Sequence, residues 1–100
     1  MSNSQVMLTL VGAPSLAHDL VDFLLENTEG GYLSIRGAGH GTHEVHMSIV
    51  EQVAGRQSRD VYQIHLDQEA VQRLLEQLRV QFAGAGLHWW LSPVIDSGSI

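Results

Sequence analysis

Apolar positions along the chain change period several times, and each change marks an element. Residues 5–11, QVMLTLV, form a short run rich in β-formers that Gly12 and Pro14 end, the pattern of a strand covered on both faces. Beyond it Leu16, Leu20, Phe23 and Leu24 recur at helical spacing. Ser15 is placed to cap that helix and Gly30-Gly31 to stop it. Residues 32–36 then alternate, with Leu33 and Ile35 on one side and Tyr32, Ser34 and Arg36 on the other. Period two returns at 59–66, where Tyr62, Ile64 and Leu66 oppose Val61, Gln63 and His65.

Asp67 is an N-cap followed by Glu69 in the first turn. Val71, Leu74, Leu75, Leu78 and Phe82 then make an unbroken apolar stripe of a second helix, which Gly84 and Gly86 end. LHWWL, residues 87–91, supplies a fourth strand before Pro93. The order β-α-β-β-α-β predicts an α+β, ferredoxin-like sandwich: a four-stranded antiparallel sheet with two helices on one face and a long loop between strands 2 and 3. The other face stays open, so Trp89 or Trp90 with apolar neighbours meets solvent, and oligomerisation is the expected remedy.

Composition narrows the function classes. One hundred residues allow one hydrophobic core, so residues 1–100 are read as a single domain. No apolar run approaches a membrane span, and the start carries neither basic residues nor a cleavage site, so no membrane insertion and a cytoplasmic location are expected. The absence of cysteine removes disulfides and thiolate chemistry. Five arginines against eleven acids, with no lysine, give a net charge of −6, and the arginines are scattered, which argues against nucleic acid as a partner. No nucleophile elbow and no convergent catalytic set occurs, so the chain is not expected to be an enzyme.

The informative stretch is 37–58, GAGHGTHEVHMSIVEQVAGRQS, where a short hairpin would suffice. Ser48 to Glu51 matches a capping box and Gly55 a C-terminal cap, predicting a short helix at 49–54. Two chemistries compete here. His40, His43 and His46, with Glu44 and Met47 between them, are sufficient for Cu, Ni, Co or Zn, although in one extended strand His43 and His46 face opposite ways, so chelation needs a turn or another subunit. Alternatively, the backbone of Gly37, Gly39 and Gly41, flanked by Arg36 and Arg56, could hold a small anion.

The segments SIRGAGHG, SIVEQVAGRQ, VYQIHLDQEAV and HWWLSPV resemble the DUF3240 family of PII-like proteins, over nearly the whole chain. The resemblance implies a homotrimer with ligand sites in the clefts between subunits, and makes 37–58 the counterpart of the target-gripping T-loop. Family members are similar to proteins encoded beside heavy-metal efflux pumps, which implies a transition-metal sensor signalling to a metal-efflux partner. The alternative it implies is a nucleotide- or anion-responsive module. The chain departs from PII proteins in two places: AGAG after the second helix lacks their basic phosphate loop, and 37–58 contains no tyrosine for uridylylation. ATP sensing in the usual way is therefore not expected, which leaves AMP, ADP or a small anion.

Overall fold

The fold is that of a computed structural model, which describes residues 5–40 and 57–100. Strand β1, Gln5–Gly12, is central, because both of its edges are paired. β2 is Leu33–Gly39, β3 is Gln57–Asp67 and β4 is His88–Pro93. The sheet order is β2-β3-β1-β4, antiparallel throughout. Helix α1, Ala17–Asn27, follows β1, and α2, Gln68–Gln81, joins β3 to β4. This is the split β-α-β arrangement the periodicity predicts.

Register decides which residues share a face. Val6, Leu8 and Leu10 of β1 point with Tyr62 and Ile64 of β3 toward the helices. There they meet Leu20, Phe23 and Leu24 of α1 and Val71, Leu74, Leu75 and Leu78 of α2, all buried. Burying one such side chain contributes about 1.5–3 kcal/mol, so this layer is the main source of stability. Phe23 and Phe82 meet edge to face at 5.7 Å and tie the two helices together.

Helix ends partly follow the sequence. Asp67 caps α2 as expected, its Oδ1 accepting from the Ala70 N–H at 2.8 Å. Ser15 does not cap α1, because Pro14–Leu16 forms a 3-10 turn and Leu16 takes the cap position without a side-chain bond. Pro14 favours this, since its fixed φ and missing N–H suit a first helical turn. α1 ends on Thr28, whose Oγ1 donates to the Leu24 carbonyl at 2.6 Å, two residues before the expected glycine stop.

The opposite face of the sheet is uncovered. Leu33 and Ile35 lie there, 57% and 49% exposed, beside Val61, Met7 and Trp90, the last 51% exposed. Trp89 turns to the helix side, where the Arg79 guanidinium lies 5.7 Å from its ring. Among the described residues no helix is long and apolar enough to cross a membrane. The predicted helix at 49–54 lies outside the described residues.

Candidate functional site

One end of the sheet opens into a cleft of about 620 Å³. Antiparallel pairing brings the end of β1, the end of β2, the start of β3 and the start of β4 to this end. Val11, Ala13 and Ser15 form the β1 side, Gly39 and His40 the β2 side, Gln57 and Arg59 the β3 side, and Ala85, Gly86 and His88 the β4 side. Gly84 and Gly86, both at φ +76°, turn the chain from α2 into β4 through a left-handed conformation that glycine alone adopts freely.

The described lining of the cleft is basic although the chain is acidic. Arg59, His40 and His88 border it, and among the described lining residues there is no carboxylate. Arg59 belongs to the open face, opposite Gly37 in register. Its Nη1 donates to the Ser58 carbonyl at 2.9 Å and its Nη2 to Gln57 Oε1. These bonds use two of the five guanidinium N–H donors and leave others for an oxyanion. Gly39 gives the arginine stem its room: a Cβ there would stand 3.2 Å from Arg59 Cγ.

Arg36, the expected anion contact, is placed differently. It points to the helix side of β2, where its Nε donates to Asp60 Oδ1. That carboxylate is nearly buried, and its hydrogen bond and charge hold the guanidinium pKa above the ordinary arginine value. The Arg36 charge is thus committed to Asp60. Gly37 shares the face of Arg59 but does not border the cleft, whereas Gly39 does. Gly41 and Arg56 lie outside the described residues.

Of the three histidines considered as metal ligands, His40 borders the cleft, and His43 and His46 lie outside the described residues. Among the described residues no group of three or more His, Asp or Glu is placed to hold a metal ion. His18 is exposed on α1 with its Nε2 3.6 Å from Asp22, and His65 is exposed on β3. The residues that sequence reasoning passed over are Arg59 and His88. Parity carried the signal for Arg59, which alternates with Val61, Gln63 and His65 on the side away from the core.

The family model described as "Protein of unknown function (DUF3240)" matches residues 1–100. The chain belongs to the DUF3240 family. Among solved structures, a DUF3240 protein from Shewanella baltica is similar, with 19% identity and a TM-score of 0.79, covering 100% of this chain and 99% of the other. CPII from Thiomonas intermedia, a nitrogen regulatory PII-like protein bound to ADP, AMP and bicarbonate, is similar at 16% identity and a TM-score of 0.72, covering 96% of each chain. No curated protein matches the chain. This DUF3240 chain therefore has the PII-like, ferredoxin-type fold.

Proposed function

We propose that this DUF3240 chain is a non-catalytic regulatory module that binds a small adenine nucleotide, AMP or ADP, or a small oxyanion, in the basic cleft where the four strand ends meet. The observation that carries the reading is the cleft's charge: Arg59, His40 and His88 gather there, with no described carboxylate among the lining, in a chain of net charge −6. CPII, which shares the fold, holds ADP, AMP and bicarbonate, and this supports the ligand class. A single described arginine and two imidazoles match one or two phosphates better than three. Metal sensing through His40, His43 and His46, signalling to an efflux partner, has no comparable support among the similar solved structures, and His43 and His46 lie outside the described residues.

The working form is proposed to be a soluble homotrimer that covers the open face, because Leu33 and Ile35 on β2 and Trp90 on β4 are large apolar side chains exposed there on a single chain. Light scattering of the purified protein should then give three times the 11.0 kDa chain mass. A monomer would leave the cleft to one chain alone.

The deciding experiment is thermal melting with AMP, ADP, ATP and bicarbonate. A ligand bound only by the folded state at 100 times its Kd adds about 2.7 kcal/mol, a Tm rise of about 10–20 °C for a domain of this size. A concentration-dependent rise with AMP or ADP supports the reading. No shift with any of the four, together with one equivalent of Cu, Ni, Co or Zn taken up in dialysis and lost in the His40/His43/His46 alanine variant, would replace it with metal sensing.

A further inference from the structure

The cleft has one permanent cation described on β3 and a second basic group facing it from β4. His88 is the first residue of β4, exposed, and stands opposite Val11 in the pairing with β1. Val11 in turn stands opposite Val61 of β3, so His88 is level with Val61, two residues or about 7 Å along the strand from Arg59 on the same face. β3 and β4 both flank β1, which puts their axes about 9–10 Å apart. An oxyanion over the Val11–Ala13 end of β1, with one charge-assisted hydrogen bond of about 2.8 Å to each side chain, lies between them.

We infer that His88 is a ligand-contacting residue that clamps the anion against Arg59 as an imidazolium, so that anion binding to this cleft takes up a proton. The inference rests on the reading of the cleft as a nucleotide or oxyanion site and adds its second contact and its coupling to pH. Among the described residues, the charged or titratable groups facing His88 are Arg59 from β3 and His40 from the end of β2; β1 and the turn after α2 contribute none. Among the described lining residues no carboxylate competes with the ligand for an imidazolium. A neutral imidazole offers the anion one N–H donor and no charge, whereas the imidazolium offers a full charge, and imidazoles make this change between pH 5 and 8. Affinity therefore rises as pH falls through that window.

The test is calorimetric titration of AMP into the intact protein at pH 6.0 and pH 8.0 and constant ionic strength, for the unmodified protein, His88→Gln and His88→Arg. The phosphate of AMP itself loses charge near pH 6, which opposes the effect, so the comparison is between proteins at each pH. His88→Gln should weaken binding about tenfold at pH 6.0, the size of one charge-assisted bond, and leave it nearly unchanged at pH 8.0. His88→Arg, with a fixed charge, should bind at pH 8.0 more tightly than the unmodified protein. Equal pH dependence in the unmodified protein and His88→Gln, with AMP still bound, overturns the role of His88 and leaves the nucleotide site standing. Failure of AMP and ADP to bind the unmodified protein at either pH overturns the site itself.

Discussion

Two arginines that look alike in the sequence stand on opposite faces of the sheet, and the difference can be measured. Arg59→Ala removes the one permanent cation among the described lining residues of the cleft; Arg36→Ala removes the described partner of Asp60. A hydrogen bond from a charged group contributes about 1.5–3 kcal/mol net. Arg59 is only half-buried in an open cleft, so the lower end applies to a single contact: about a tenfold loss of AMP affinity, approaching a hundredfold if the guanidinium binds the phosphate with two N–H groups. Arg36→Ala should leave affinity within about threefold, since a charge on the far face acts only through screened solvent. It should instead lower the Tm, because the nearly buried Asp60 carboxylate loses its described partner. Calorimetry at constant ionic strength reads the affinities, and melting curves without ligand read the fold. If Arg36→Ala weakens AMP as much as Arg59→Ala does, the anion sits at the β2 edge on the helix side, and the cleft assignment is wrong.

Two further outcomes test the fold. Asp67→Ala removes the N-cap of α2 and should cost about 1 kcal/mol, a Tm decrease of about 4–8 °C in a melting experiment; an unchanged Tm would mean the Asp67–Ala70 bond contributes nothing. Burial first, and then the nearby Asp60 charge, raises the Tyr62 pKa above the ordinary tyrosine value, so the folded state holds this phenol neutral while the unfolded chain ionises it. Its contribution is complete below about pH 10 and is lost as pH rises beyond that, so urea midpoints should fall between pH 9 and 11.5 more steeply for the native protein than for Tyr62→Phe.

Periodicity carried most of the architecture. The stripe from Val71 to Leu78 and the alternation from Val61 to Leu66 each have one clean solution, because a helix face or a strand face must be apolar to reach a core. β2 was different. Its alternation is real, but Leu33 and Ile35 face away from the helices, and a two-sided sheet with apolar residues on both faces gives local sequence no means of telling inside from outside. The exchange of Arg36 for Arg59 has the same origin. Each arginine sits in a strand segment of similar polarity, and only the register, which sets Arg36 opposite Asp60 and Arg59 opposite Gly37, separates a neutralised charge from one available to a ligand. Ser15 failed as a cap because Pro14 starts a tighter turn before the helix proper.

Gly39 and His40 at the end of β2 and Gln57 and Arg59 at the start of β3 border the cleft side by side, so the described residues flanking segment 41–56 belong to the surface a ligand would touch under the proposed function. If a ligand held there changes how a partner binds that segment, the two binding events are linked. The linkage runs both ways: whatever factor the ligand applies to the partner's affinity, the partner applies to the ligand's. Under the proposed function, an apparent nucleotide affinity measured on the isolated chain would then differ from that of the chain in a complex.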